Sequence, residues 1–329
     1  MGKKIYLLKI IRKILKFVYK PKEKYLDSNI QNTYEWAQES GQKVSDIIKN
    51  ELMLDKPSLI TRFGSTEMLS MMDYLHRGTF KNAIKFVMSE IEYLGWRKST
   101  QDQMWNCSGF FPPTEKNLEK YSELLYNLMP EIDVLGTWLK QEQYFSKELK
   151  NATRVPLYDL EPFYYENPWT VALEGKNVLI IHPFETTILH QYKNHKLLFE
   201  NKKMLPDFNL LTIRAVQSIA KNNDKFNSWF DAFEYMKSEI DKKDFDIAII
   251  ACGTYGMPLA AYVKKIGKKA IHLGGSLQLM FGIKGRRWEE VETCANSDFY
   301  MKLYNDYWIR PFDVDTPKSF QNVENGCYW

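Results

Sequence analysis

Apolar residues follow two different spacings along this chain of 329 residues, and the two spacings alternate. Short and almost fully apolar runs, of which residues 177–181 and 245–251 are the clearest, predict strands covered on both faces. Longer stretches with one apolar face, such as residues 115–128 and 228–242, predict helices. The predicted strands are residues 58–63, 132–138, 177–181, 210–213, 245–251 and 269–273. The predicted helices are residues 31–53, 68–76, 115–128, 186–199, 228–242 and 257–265. Residues 154–168 are predicted to be irregular.

This alternation of strands and helices predicts the fold class. Strand-helix-strand connections join parallel strands, so the pattern indicates an α/β protein with a Rossmann-like open, mainly parallel sheet and helices on both faces. We expect a single such domain over residues 25–329, with its core at about 56–290 and a C-terminal extension at 291–329. Residues 1–24 are predicted to form a separate N-terminal helix.

Charge is divided unevenly between that N-terminal segment and the rest of the chain. The 45 Lys and Arg residues against 41 Asp and Glu residues give a formal charge of +4. Residues 1–24 contain nine basic residues and one acidic residue, so this segment carries +8 and the remaining residues carry −4. A mildly acidic body disfavours nucleic acid as a partner, because nucleic-acid binders spread Lys and Arg over a folded face.

The N-terminal segment has the pattern of a basic amphipathic helix. At roughly 100° per residue, one half of this helix carries the apolar residues Leu7, Ile10, Ile11, Ile14, Leu15, Phe17 and Val18, and the other half carries the basic residues Lys9, Arg12, Lys13, Lys16 and Lys20. Such a helix can lie in the headgroup region of an anionic membrane, so we expect residues 1–20 to hold a cytoplasmic protein at the inner face of the cell membrane. The alternative is that the apolar half docks on the protein's own body or on a partner chain.

Candidate binding residues lie at the predicted strand ends, since open parallel sheets bind ligands beyond the carboxyl ends of their strands. Glycine is frequent there, and backbone amides at a helix N-terminus approach a phosphate most closely where no side chain intervenes. The set therefore predicts a site for a phosphate-bearing ligand, although tight turns alone can also require glycine. The predicted site residues are Arg62, Gly64, Ser65, Thr66, Glu67, His182, Glu185, Arg214, Gly253, Thr254, Tyr255, Gly256, His272, Gly274 and Gly275.

Two further groups of residues have side chains suited to the chemistry of such a ligand. Lys284, Arg286 and Arg287 form a dense basic cluster that can clamp a diphosphate, or else a solvated basic turn. His182 and Glu185 follow a predicted strand, where an imidazole can act as general base for an acceptor hydroxyl. A histidine held for structural reasons is the alternative for His182 and for His272.

The sequence Arg62-Phe63-Gly64-Ser65-Thr66-Glu67 resembles the Arg-Phe-Gly-Asp-Gly-Glu type motif of bacterial glycosyltransferases with the GT-D fold. In that family an Asp-x-Glu pair follows the first core strand and serves the metal ion and the diphosphate of the nucleotide sugar. The block at residues 251–288, with Pro258-Leu-Ala-Ala-Tyr262 and His272-Leu-Gly-Gly275, also looks like GT-D-like proteins associated with bacterial surface polysaccharides. The resemblance covers about residues 56–290.

The resemblance implies a glycosyltransferase that moves a sugar from a nucleotide diphosphate to a growing bacterial surface glycan, such as a capsule, an exopolysaccharide or a glycoprotein glycan. The implied partners are the nucleotide sugar and a glycan or lipid-linked acceptor. Glu67 matches the acidic end of the motif and is the implied ligand of Mg²⁺ or Mn²⁺, but Ser65 stands where the family has Asp. Three arrangements stay open: Glu67 alone holds the ion, His272 or another strand-end group completes the site, or cations replace the metal.

Three alternatives to this function stay open from the sequence. Glu67 can be the acidic first turn of a capped helix and not a ligand. The missing Asp at position 65 favours a non-catalytic sugar-nucleotide-binding or scaffold protein of the same fold. A nicotinamide-dependent oxidoreductase shares the fold class but requires a G-x-G-x-x-G fingerprint that the chain lacks.

Overall fold

The computed structural model describes residues 2–19, 33–219, 225–292, 294–317, 320–322 and 325–329. Seven strands in this part of the chain form one sheet, in the order β3-β2-β1-β7-β6-β4-β5, and every neighbouring pair is parallel. The predicted Rossmann-like α/β fold with an open parallel sheet is thereby confirmed. The strands are β1 Ser58–Arg62, β2 Val134–Thr137, β3 Thr153–Pro156, β4 Asn177–His182, β5 Asn209–Arg214, β6 Ile247–Ile250 and β7 Lys269–His272.

Helices connect these strands and cover both faces of the sheet. Those in the described residues are α1 Gly2–Tyr19, α2 Thr33–Trp36, α3 Gln42–Met53, α4 Ser65–Leu75, α5 Phe80–Val87, α6 Lys98–Asn106, α7 Glu115–Leu128, α8 Glu185–Tyr192, α9 His195–Leu198, α10 Trp229–Ile240, α11 Gly256–Lys265, α12 Leu277–Met280 and α13 Ser297–Leu303. None of them is both long enough and apolar enough to cross a bilayer.

Successive side chains of the strands point to opposite faces, which explains why the central strands are apolar throughout. On β4, Leu179 and Ile181 join a buried cluster with residues of α4, α7, α10 and α11. Val178 and Ile180 join a second cluster on the other face with residues of α3 and α8. The sheet therefore lies between two apolar layers.

Three of the predicted elements differ from the structure. The segment predicted to be irregular begins with β3, an edge strand where Pro156 is tolerated because only one side of the strand pairs. The helix predicted over 31–53 is interrupted before α3 by Gly41, whose φ of +69° is incompatible with a helix interior, and residues 31 and 32 lie outside the described residues. The helix predicted over 186–199 is divided into α8 and α9.

Candidate functional site

A pocket of about 1100 Å³, including its open mouth, lies at the carboxyl ends of β1, β7, β6 and β4. These strands are neighbours in the sheet, so loops that are far apart in sequence meet at one edge. Most of the predicted site residues line this pocket, namely Arg62, Gly64, Ser65, Thr66, Glu67, His182, Gly253, Tyr255, His272, Gly274, Gly275 and Arg287.

The predicted basic cluster is divided by the fold, because only Arg287 of its three members lines the pocket. Arg286 pairs with Glu290 at 2.8 Å and donates a hydrogen bond to the Asn325 carbonyl. The ammonium group of Lys284 lies over the Tyr304 ring. Lys284 and Arg286 therefore do not join Arg287 in the wall of the pocket.

One acidic residue and one basic residue predicted at strand ends, Glu185 and Arg214, also lie outside the pocket. Glu185 accepts a hydrogen bond from Thr212 Oγ1 at 2.8 Å and lies 3.7 Å from the Arg214 guanidinium. Arg214 pairs with Asp315 at 2.7 Å. Residues 216–219, which follow β5, line the pocket, but Arg214 and Glu185 do not. Glu185 is thus a partner of Arg214, and its predicted catalytic role is not supported.

Thr254 and Gly256 support the pocket from outside. The Thr254 hydroxyl donates to the Ser108 carbonyl at 3.0 Å and accepts from Trp229 Nε1 at 2.9 Å, which ties the loop after β6 to the core. Gly256 is the first residue of α11 and lies against the His272 ring, where a Cβ atom would clash. Neither residue lines the main pocket, although Thr254 lines a small cavity that shares Arg62, Glu67 and His272 with it.

Glu67 has the only acidic side chain that lines the pocket among the described residues. Its side chain folds back over Gly64, the residue preceding α4, and a Cβ atom at that position would collide with the Glu67 carboxylate. It accepts a hydrogen bond from Thr66 Oγ1 at 2.9 Å. Helix α4 begins directly after β1, so the amide groups of its first turn and the Glu67 carboxylate lie at the same edge of the sheet. No side chain caps these amide groups.

Arg62 brings a positive charge to the pocket from the end of β1. Burial lowers the pKa of its guanidinium, and the charge of Glu67 is the largest influence opposing that shift. Its side chain lies over the Trp138 ring, with 5.1 Å from Cζ to the ring centroid. In the part of the chain that the structure describes, Arg62 forms no ion pair, and it lines the pocket.

A second arginine comes from the C-terminal part of the chain. Arg287 lines the pocket and donates a hydrogen bond to the Tyr328 hydroxyl at 3.1 Å. Tyr328 packs so closely on the turn after β7 that a Cβ atom at Gly275 would lie 2.6 Å from its ring. Its carbonyl also accepts from Gln278 Nε2 at 3.1 Å. The residues around Tyr328 therefore form one wall of the pocket.

Both histidines of the pocket are held in the neutral state. Burial lowers the pKa of His182 to about 3, and burial together with the charge of Arg62 lowers the pKa of His272 to about 3. His182 Nδ1 accepts the Phe184 N–H at 2.9 Å, so the proton of the neutral ring lies on Nε2. This geometry makes His182 a hydrogen-bond donor to the pocket, which argues against its predicted role as general base.

These histidines give the protein a specific dependence on pH. Because the pKa of His182 is about 3 when folded and about 6.5 when unfolded, its contribution to stability is present above 6.5 and is lost as the pH falls towards 3. In His182→Asn the side-chain oxygen can still accept the Phe184 N–H. From pH 7 to pH 5, we expect the unfolding free energy of the wild type to fall by about 2 kcal/mol more than that of His182→Asn, measured by urea unfolding. Parallel pH profiles would contradict the buried neutral state.

Five parts of the pocket wall are not among the residues predicted from the sequence. Trp138 directly follows β2 and its Nε1 donates to the Phe63 carbonyl at 2.8 Å, so its position at a strand end was an available signal. The remaining missed residues include Cys107, Ser108, Gly109, residues 216–219, Gln278, Tyr328 and Trp329, for which the sequence carries no motif.

The side chains of the pocket do not fit the metal ion that the family resemblance implies. No group of three or more His, Cys, Asp and Glu residues in the described residues could hold a metal ion. Glu67 stands beside Ser65, a neutral and weaker ligand, and both pocket histidines are buried. These residues do not build a metal site of their own.

Comparison with known proteins gives no identification. No protein-family model, no curated protein and no solved structure matches this chain.

Proposed function

We propose that this protein is a glycosyltransferase that uses a nucleotide-diphosphate sugar as donor and extends a bacterial surface glycan. The observation that carries the proposal is the pair of arginines, Arg62 and Arg287, in a pocket at the carboxyl edge of a parallel sheet. Among anionic ligands, the resemblance of residues 62–67 to the GT-D motif favours a nucleotide sugar.

The charges of the pocket suit a diphosphate. Two guanidinium groups and one side-chain carboxylate line it, while its histidines are neutral, so the side chains provide one net positive charge. Guanidinium groups bind phosphate oxygens with paired hydrogen bonds, and the uncapped first turn of α4 adds backbone donors. In this proposal Arg62 and Arg287 take the place of a metal ion and stabilise the charge of the departing nucleotide diphosphate.

Glu67 is the remaining candidate for activating the acceptor hydroxyl, since it has the only acidic side chain among the described residues of the pocket. In the proposed reaction the acceptor oxygen forms a bond to the anomeric carbon, the bond from that carbon to the diphosphate oxygen breaks, and the acceptor proton passes to Glu67. The nucleotide diphosphate leaves with the bonding electrons, next to the arginines.

A non-catalytic sugar-nucleotide-binding protein is the second candidate. It is favoured by Ser65 at the position of the family Asp and by the donor role of His182 Nε2, which removes one possible base. The two functions share the donor site and differ in whether the sugar is transferred.

Transfer and hydrolysis assays with UDP- and GDP-sugars test the proposal. We expect turnover by the wild type and a loss of about 10²- to 10³-fold in Glu67→Gln, because the variant keeps a hydrogen-bonding side chain but cannot accept the proton. Glu185→Gln is the matched control, since this carboxylate also follows a strand but lies outside the pocket. Its turnover should stay within about twofold of wild type.

Each assay is run with Mn²⁺ and with EDTA, which separates the possible roles of Glu67. Loss of activity in Glu67→Gln under both conditions supports a general base. Equal turnover by wild type and Glu67→Gln overturns the catalytic role, and tight donor binding without turnover favours the binding protein.

We further propose that α1 attaches the protein to an anionic membrane, where lipid-linked acceptors are found. Leu7, Ile14 and Phe17 on its apolar half are 57% or more exposed. The opposite side, with Ile5 and Leu8, is partly buried. The exposed apolar half supports the membrane over docking on the protein's own body.

A further inference from the structure

We infer that α5 is a second membrane-contacting element, which forms with α1 a two-helix platform for an anionic lipid surface. Exposed large apolar side chains are concentrated here. Ten of the twenty-four in the described residues belong to α1, α5 or Met88, which directly follows α5. On an ordinary soluble surface, exposed apolar residues are scattered singly, whereas here they are grouped on two neighbouring helices.

The exposed apolar stripe of α5 consists of Phe80, Ile84 and Met88, which are 83%, 50% and 50% exposed. Their spacing of four residues places them along one side of the helix. The buried residues Asn82 and Phe86 lie on the opposite side. The stripe therefore faces away from the body and has no partner among the described residues.

The orientation of this stripe is fixed by polar contacts at the start of α5. Thr79 caps the helix by accepting the Asn82 N–H at 3.2 Å. Asn82 Nδ2 donates to the carbonyl groups of Leu75 and Arg77 at 2.7 and 2.8 Å, which anchors α5 to the end of α4. These bonds hold the apolar stripe outward in the isolated protein.

Arg12 joins the two helices at their shared boundary. Its guanidinium lies 4.4 Å from the centroid of the Phe86 ring, and Nη1 donates to the Glu92 carbonyl at 2.9 Å. This contact uses the edge of α1 that carries Ile5, Leu8 and Leu15, all partly buried. The exposed half of α1 and the exposed stripe of α5 are consequently left uncovered by the contact between the helices.

Charge indicates what covers the platform. Helix α1 contains six basic residues and α5 contains Lys81 and Lys85, and neither helix contains an acidic residue; Glu90 and Glu92 follow α5. A second copy of the chain would bring these like charges together, whereas an anionic bilayer offers acyl chains to the apolar residues and headgroups to the lysines. The platform therefore fits an anionic membrane surface.

The test is flotation of the full-length protein with vesicles of about three parts phosphatidylcholine to one part phosphatidylserine. For the variant Phe80→Ser with Ile84→Ser, we expect the partition coefficient to fall by about tenfold or more. Lys81→Gln and Lys85→Gln should each lower it by about fivefold, and less at high salt. The matched control is Val291→Ser with Met301→Ser, two exposed apolar residues elsewhere, which should leave partitioning unchanged.

This inference extends the proposed attachment through α1, and a Leu7→Ser with Ile14→Ser variant separates the two. If that variant loses vesicle binding while the Phe80 and Ile84 variant keeps it, the role of α5 is overturned and that of α1 stands. If the wild type fails to bind, or binds neutral vesicles equally well, both are overturned. A vesicle-free dimer that dissociates in the Phe80 and Ile84 variant would assign the stripe to a second copy instead.

Donor binding is measured on the same variants without vesicles. It should equal that of wild type, because the stripe lies at the far end of α4 from the pocket. Absence of donor binding in the wild type would defeat the proposed transferase and leave the vesicle result intact.

Discussion

Replacing Trp229 by alanine is expected to lower the free energy of unfolding by about 3–5 kcal/mol, the largest effect on stability that we predict. Trp229 is fully buried at the start of α10. It stacks on Tyr255 with ring centroids 4.9 Å apart and on Phe233 at 5.1 Å. The substitution leaves a large cavity and removes both stacked contacts.

The same substitution should also weaken ligand binding, since Tyr255 lines the pocket and Thr254 is held by the Trp229 indole. Trp229→Phe keeps much of the stacking and loses this hydrogen bond, so we expect a smaller cost of about 1–2 kcal/mol. The control Tyr235→Ala changes a partly exposed ring of the same helix and should cost less than about 1 kcal/mol. Urea unfolding followed by circular dichroism measures the free energy of unfolding of all three variants. A decrease of less than about 1 kcal/mol for Trp229→Ala would contradict the packing described.

The central strands could be predicted because burial on both faces leaves a direct signal in the sequence. In β4 and β6, consecutive residues enter different apolar layers, so the strands are apolar without interruption. Short edge strands lack that signal. Strand β3 ends in proline and was predicted to be irregular, yet its four residues pair with β2 along their length.

The candidate site could be predicted only as a set of strand ends, because the order of strands in the sheet is not local information. Arg62 and Arg214 both end predicted strands, but β1 is central and β5 is at the edge. The Arg62 side chain lines the pocket, whereas the Arg214 side chain pairs with Asp315, although residues 216–219 just after it line the pocket. The motif-like sequence of residues 62–67 is the one local signal that favours Arg62, and nothing around Arg214 indicates its pairing with Asp315.

Long-range contacts account for the other differences. Arg286 and Arg287 are adjacent, but a tight helical turn at Arg286–Trp288 sends the first towards Glu290 and the second towards Tyr328. Tyr328 reaches the pocket from a segment that has no periodic pattern or motif. Its role depends on packing against Gly275, more than fifty residues earlier in the chain.

Replacing Arg62 by methionine is expected to weaken the binding of UDP- or GDP-sugars by about 100-fold, or about 2–3 kcal/mol, if the pocket is the donor site. Methionine keeps much of the side-chain length but removes the charge and every donor. The stability of the protein should stay the same or increase, because burial of the guanidinium lowers its pKa and so opposes the charged state. Arg62→Lys, which keeps the charge and loses the paired donors, should give an intermediate affinity.

Arg214→Met is the matched control, because it removes the same group from another strand end. Its loss leaves the buried Asp315 carboxylate without its cation, although Thr187 still donates to that carboxylate through N–H and Oγ1. Since Arg214 is partly exposed, we expect a loss of about 1–2 kcal/mol of stability with unchanged donor affinity. Calorimetric titration should therefore show weakened donor binding only in Arg62→Met, and urea unfolding should show lowered stability only in Arg214→Met. An Arg62→Met protein that binds donors as tightly as wild type would show that this pocket is not the donor site.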